Sequence, residues 1–439
     1  MPCHNMKENP VNSLLNSCHN TRTNSTRILA IAGLVLACGA APAVAQSFTF
    51  INAPSKNYND GRSNTAARGM VPFHGTRSNG SPYVALWDLK NNAILENTSP
   101  DMDFAESAES YAFAQSRGPN DPVKGISVGL IKKPRPAAFS WNTEENGEGN
   151  THLLNDMGVG ASWATAVDAS GQLIGGAVYG SDGVGPESPQ AVVWEHELPM
   201  RMALPTGTHA SEVTGVSSDG QVHVGTISPQ YSPNPRPKAI KEQGIQFQGI
   251  VWTPSGMNIV PPSTAGSDAV GLGLDGMGPD NDACYATINT TRSNAKGGMY
   301  RISNNTFTLL DGGDINHDGM IDLMDDHDSA VYAISLDSSI VGGSITVNGV
   351  ETAILWINSA NGYEPVDAAS YLKHIGGTGM DGDFWNLTRV TGISPDGLEI
   401  SGVGVAPAGY TTVWHAAIPA PGAASLGLLG GLAALRRKR

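Results

Sequence analysis

The chain has 439 residues with 26 Lys and Arg against 40 Asp and Glu, a formal charge of −14. The first 45 residues contribute +2 of this and the last four +4, so the stretch between carries −20, a balance that repels phosphate backbones and excludes sequence-independent nucleic-acid binding. Hydrophobic residues at 40%, with Gly 53 and Pro 28, describe a folded, turn-rich chain and exclude a disordered one.

At the N-terminus, Arg27 precedes the apolar run ILAIAGLVLA (28–37), which is too short to span a bilayer. Ala43-Val44-Ala45 before Gln46 is a small-x-small cleavage site, so residues 1–45 read as a secretory signal peptide, with Met6 an alternative start. Val35-Leu36-Ala37-Cys38 resembles a lipobox, which leaves a lipidated Cys38 as a second processing route. Cys3, Cys18 and Cys38 all lie in this leader; Cys284 is alone in the body, so no internal disulfide framework is expected.

Residues 46–417 contain a repeat. Trp87, Trp141, Trp194, Trp252, Trp356 and Trp414 are separated by 54, 53, 58, 104 and 58 residues, and Tyr300 fills the double gap. Each aromatic ends a short apolar run such as VALW, AVVW or AILW. Upstream lies a second motif: ATAVDASGQLIGG from Ala164, VTGVSSDGQVHVG from Val213, VYAISLDSSIVGG from Val331 and VTGISPDGLEISG from Val390. Weaker copies stand near Ala66, near Tyr111 and at Ala269–Gly276. This pattern is strand, turn with Asp or Ser before Gly, and strand; the aromatic run makes a third strand and the residues after it a fourth. Four short antiparallel strands per roughly 54 residues is the arithmetic of a β-propeller blade. The expected fold is therefore all-β, a single propeller of about seven four-stranded blades, or six if the fifth copy is an insertion. Ser47–Ile51 is an orphan strand and the seventh copy stops short of its fourth, so pairing them closes the ring. The periodic aromatics are expected as core between blades. These copies resemble the bacterial extracellular repeats of the HAF family, whose namesake His-Ala-Phe survives here only as Ala138-Phe139. That resemblance implies a secreted or surface protein and names no reaction.

One motif carries chemistry. Asp314-Ile-Asn-His-Asp-Gly-Met-Ile-Asp-Leu-Met-Asp325 fits D-x-[DN]-x-[DN]-G followed six positions later by an acid. Calcium takes six to eight hard oxygens. Asp314, Asn316, Asp318 and Asp325 supply side-chain oxygens, Asp322 acts directly or through water, Met320 offers its carbonyl, and Gly319 permits the sharp turn. The sequence thus implies calcium as cofactor in a loop inserted at 314–325, one that rigidifies and does not sense. Asp at the last position resembles the dockerin-type, EF-hand-like loop; dockerins carry two such loops and this chain has one, so cohesin binding is not expected.

Weaker signals favour structure over catalysis. Gly125-Ile-Ser-Val-Gly129 matches G-x-S-x-G without a strand-to-helix elbow around it. No H-E-x-x-H occurs, and His317 and His327 flank the calcium loop as solvated side chains. Asp101, Asp103, Glu106 and Glu109 form an acidic run that reads as a solvated loop. Pro365–His374 reads as a short helix with Asp367 near its start, inserted before the last blade.

At the C-terminus, Ile418-Pro-Ala-Pro-Gly422 precedes the uncharged run 423–435 and then Arg436-Arg437-Lys438-Arg439. Residues 418–439 resemble a PEP-CTERM sorting tail. The resemblance implies an exosortase-type processing enzyme as partner, transient membrane contact through this segment, and attachment to the envelope or release. The functional expectation is an exported, non-enzymatic binding or structural module whose ligand is an extracellular polysaccharide or surface protein. A carbohydrate-active enzyme on the same scaffold is the alternative.

Overall fold

The computed structural model describes residues 48–50, 70–76, 82–89, 91, 93–97, 111–117, 125–132, 136–143, 150–168, 170–180, 188–217, 219–229, 248–260, 268–273, 283–291, 294–310, 328–335, 337–347, 349–359, 362–374, 386–394, 397–406, 409 and 411–418. All fall within Ala45–Arg439, one of the two units into which the chain divides; the other, Met1–Val44, lies outside the described residues. Among the described residues the regular structure is β apart from one short helix, as the repeat requires. After β1 (Phe48–Phe50), sheet one holds β2 (Met70–Thr76), β3 (Pro82–Asp88) and β4 (Ala93–Glu96). Sheet two holds β5 (Tyr111–Arg117), β6 (Gly125–Lys132), β7 (Pro136–Thr143) and β8 (Thr151–Leu153). Sheet three holds β9 (Ser162–Val167), β10 (Leu173–Gly180), β11 (Ser188–Glu195) and β12 (Leu198–Arg201). Sheet four holds β13 (Ala210–Val216), β14 (His223–Ser228), β15 (Gln248–Thr253) and β16 (Gly256–Ile259). Sheet five holds β17 (Asp268–Gly273), β18 (Ala283–Thr291), β19 (Asn294–Arg301) and β20 (Thr306–Leu309). Sheet six holds β21 (Asp328–Ile334), β22 (Ile340–Val347), β23 (Val350–Ser359) and β24 (Gly362–Asp367). The helix α1 (Ala368–His374) follows, then β25 (Asn386–Ile393), β26 (Glu399–Val405) and β27 (Thr411–Ala417), which with β1 make sheet seven.

Every sheet is antiparallel and, but for β1 in sheet seven, a meander; the hairpin between the first two strands shows why the motif recurs. In sheet four the Ser217 hydroxyl accepts the Val222 N–H at 2.9 Å and donates to Asp219 Oδ1 at 2.6 Å. Gly220 donates its N–H to the Ser217 carbonyl with φ at 71°, the left-handed conformation that Gly adopts without strain. Ser335 and Ser394 do the same for Ile340 and Glu399 at 3.0 and 2.8 Å, and in sheet three the Asp168 carboxylate takes the role, accepting from Leu173 at 3.0 Å. In sheet six the left-handed residue is Ser338, at φ 56°.

The periodic aromatics sit on the third strands, are no more than 5% exposed, and each packs on the preceding sheet. Trp141 meets Val84 and Leu86 of sheet one, and Trp194 meets Val128 and Ala138 of sheet two. Trp252 meets Ala191 and Val193 of sheet three, Tyr300 meets Val224 and Val251 of sheet four, and Trp356 meets Met299 of sheet five. Trp414 meets Ala353 and Leu355 of sheet six. Sheet seven then packs on sheet one: Val413 joins Trp87, Val71 and Phe73, and the His415 ring lies edge-on to Trp87 with centroids 6.4 Å apart. The succession of seams thus returns to its start.

Close approach explains the glycines that end the second motif. A Cβ on Gly343 would stand 2.0 Å from the Ala330 carbonyl oxygen and 2.8 Å from Trp356 Cζ3, and one on Gly402 would stand 2.0 Å from Arg389 O and 2.5 Å from Trp414 Cζ2. The carbonyls intrude because the first strands bulge, with register shifts between Val331 and Ala333 and between Val390 and Gly392.

The orphan N-terminal strand pairs as expected: β1 lies antiparallel to β27 with Phe50 opposite Trp414, and Phe48 stacks on Trp414 at 6.1 Å. Sheet one shows three strands among the described residues. With Trp87 on β3, they correspond to strands two to four of the other sheets, and the weak copy near Ala66 lies outside the described residues. The expected helix is shorter than 365–374: Pro365 belongs to the outer strand β24, opposite Trp356, where an edge position tolerates its missing N–H. Asp367 caps α1, its Oδ1 accepting the Ser370 N–H at 2.6 Å.

Replacing Gly343 by Ala is expected to cost about 1–3 kcal/mol through overpacking, read as a lower urea midpoint at unchanged slope. Ser338→Gly is expected to raise stability by about 0.5–1 kcal/mol in the same measurement, because it removes left-handed strain from a non-glycine residue.

Candidate functional site

The first strands form the innermost line: β5, β9, β13 and β17 touch in succession, and β21 touches β25. The fourth strands β12, β16 and β20 are largely exposed. Polar groups on the inner strands bond within the protein. The Thr165 hydroxyl donates to Gly175 O at 3.2 Å or to Val213 O of the next sheet, and Thr388 donates to Val403 O at 2.9 Å. Trp163, on β9, donates its indole N–H to Glu212 Oε1 of β13 at 2.7 Å. Between sheets six and seven, Glu351 Oε1 accepts from Arg389 Nε at 2.7 Å and from the Ser344 hydroxyl at 2.9 Å. Thr165 and Trp163 link β9 to β13, and Arg389 of β25 ties sheet seven to Glu351 on the third strand of sheet six.

The residues expected to hold calcium, Asp314, Asn316, Asp318, Met320, Asp322 and Asp325, lie outside the described residues, as do His317, His327 and the acidic run from Asp101 to Glu109. The loop's flanks are described. It joins β20 to β21, and Leu310 before it packs with Val331 after it around Trp356. Among the described residues no group of three or more His, Cys, Asp or Glu is placed to hold a metal ion. Ser127 of the G-x-S-x-G match stands within β6, fully buried, so no nucleophile elbow exists there. Cys284 lies on β18. No helix among the described residues is long and apolar enough to cross a membrane.

Three features escape a reading by period alone. Trp163 lies off the 54-residue spacing, Glu351 and Arg389 belong to different copies, and His223 is a partly buried imidazole whose Nε2 faces inward at a position where other copies carry a buried aliphatic residue. The last is detectable only by laying the copies side by side.

No family model matches the chain, and no curated protein does. Among solved structures it is similar to a prolyl endopeptidase, at 9% identity and TM-score 0.48 over 86% of this chain, which spans half of that protein's length. It is also similar to the β-propeller domain of the Trilobed protease from Pyrococcus furiosus, at 9% identity and TM-score 0.45, over 84% of this chain and 95% of that one. TolB from Acinetobacter baumannii shows 11% identity and TM-score 0.37, over 82% and 79%.

Glu351 and Arg389 are each about one-quarter to one-third exposed, so solvent weakens their attraction. A Glu351→Gln, Arg389→Gln double-mutant cycle is expected to return a coupling of about 1 kcal/mol in chemical denaturation.

Proposed function

We propose that this chain is an exported β-propeller of seven blades that works as a non-enzymatic binding module at the cell envelope or outside the cell. The observation that carries the reading is the cyclic order of seams, from Trp141 on sheet one round to Trp87 on sheet seven, with the inner polar groups engaged inside the protein. Such a ring is a repeated frame whose connections differ in length. The connections 97–110, 229–247, 310–327 and 368–385 are long, whereas the turns 196–197 and 254–255 have two residues each. In an antiparallel meander the connection from second to third strand and the exit from the fourth strand leave from the same end of the sheet. That end is the binding face, and its ligand is an extracellular polysaccharide or a surface protein.

A calcium ion held by Asp314, Asn316, Asp318, Met320, Asp322 and Asp325 braces the junction of sheets five and six; support comes from the oxygen-rich spacing and from Leu310 and Val331 meeting at Trp356. Residues 1–45 direct export, and an exosortase-type enzyme processes 418–439, leaving the ring anchored or released.

Chelation with EGTA is expected to lower the thermal midpoint of the calcium-loaded protein by roughly 5 °C, and Asp318→Ala to abolish that shift. An EGTA-insensitive midpoint removes calcium from the account. For binding, the protein is expected to retain the producing cell's extracellular polysaccharide in a pull-down without generating reducing ends. New reducing ends support the enzyme instead.

A further inference from the structure

Comparing the repeats isolates one seam unlike the others. The turn between first and second strands opens with Ser217, Ser335 and Ser394 in sheets four, six and seven, and with Asp168 in sheet three. On the strand that follows, the corresponding residues Ile174, Val341 and Ile400 are buried apolar side chains, whereas sheet four has His223.

These two departures face each other. His223 is the cross-strand neighbour of Trp252, so it shares the face that Trp252 turns toward Ala191 and Val193 of sheet three. Asp168 is 4% exposed, and its Oδ2 reaches to 3.7 Å from where a Cβ on Gly220 of sheet four would stand. A carboxylate and an imidazole therefore occupy a junction that serine and aliphatic residues fill elsewhere. His223 Nε2 is buried without a hydrogen-bond partner. The charged groups around it are Asp168 from sheet three and Asp219 from its own turn; its strand neighbours Val216 and Trp252 are apolar.

We propose that the seam between sheets three and four is a pH-responsive joint, in which proton uptake at the buried, unpartnered Nε2 of His223 places a cation at the sheet interface and loosens the contact between the two sheets. Burial outweighs the attraction of Asp168 and Asp219 and holds the imidazole below its ordinary 6.5. The folded state therefore favours the neutral ring. Its stabilisation is complete above about pH 6.5 and is lost as the pH falls through the lowered folded value. At the equivalent position sheets three, six and seven carry Ile174, Val341 and Ile400, which do not titrate.

Amide hydrogen exchange on the full chain between pH 8 and pH 5, corrected for intrinsic rates, tests this. Protection of β13 and β14 relative to β21 and β22, which carry no histidine, is expected to fall on acidification, by up to about tenfold per pH unit below 6.5 until the folded pKa is passed. His223→Val, which installs the residue type of Val341, is expected to remove that relative fall. His223→Gln, a neutral polar side chain, serves the same purpose if the valine variant does not fold. An unchanged fall in a folded variant, or no relative fall in the wild type, overturns the proposal.

Discussion

The structure depends on one contact made seven times: an aromatic ring on a sheet's third strand, buried against the sheet before it. A β-sheet of four short strands has two faces to cover and cannot bury either alone. Here one face takes the ring of the next sheet and the other presents its own ring to the previous sheet. The contact has a steric condition. The ring needs a strand with no side chain beneath it, and Gly225, Gly343 and Gly402 provide that while a bulged carbonyl presses in from the other side. Aromatic, glycine and bulge are three parts of a single packing solution, which is why they recur together.

Among the described residues the last sheet meets the first where Val413 joins Trp87, and an early strand completes the last sheet. Sheet seven borrows β1 as its outer strand, and Phe48 stacks on Trp414 where other sheets use a contiguous fourth strand. β27 becomes an interior strand, paired on both sides, although it is the last of the described strands. The edges that remain are managed differently: outer strands carry Pro199 and Pro365 opposite Trp194 and Trp356, and proline blunts an edge that would otherwise recruit another strand.

Much of this was legible before any coordinates. The aromatic spacing located the third strands, and the Asp/Ser-Gly turns located the first hairpins, because both encode local geometry: a ring that must recur once per sheet, and a backbone that must turn left-handed. Ser338 shows the limit, since a serine occupies the left-handed site that glycine holds elsewhere. Contacts between copies were less accessible. Arg389 finds Glu351 across a seam, and Trp163 finds Glu212, through register between sheets that no single-strand pattern specifies. The oxygen-rich loop 314–325 is the reverse case: its spacing is explicit in the sequence, and it lies outside the described residues.

The central claim is that the seven sheets form a closed cycle through equivalent aromatic seams. A crystal structure of the protein, inspected at the junction of sheets seven and one, tests it most directly. The account predicts electron density with the Trp87 indole enclosed by Val413 and edge-on to His415, and with Phe48 stacked on Trp414. Density showing Trp87 in solvent, with sheets one and seven apart, contradicts it.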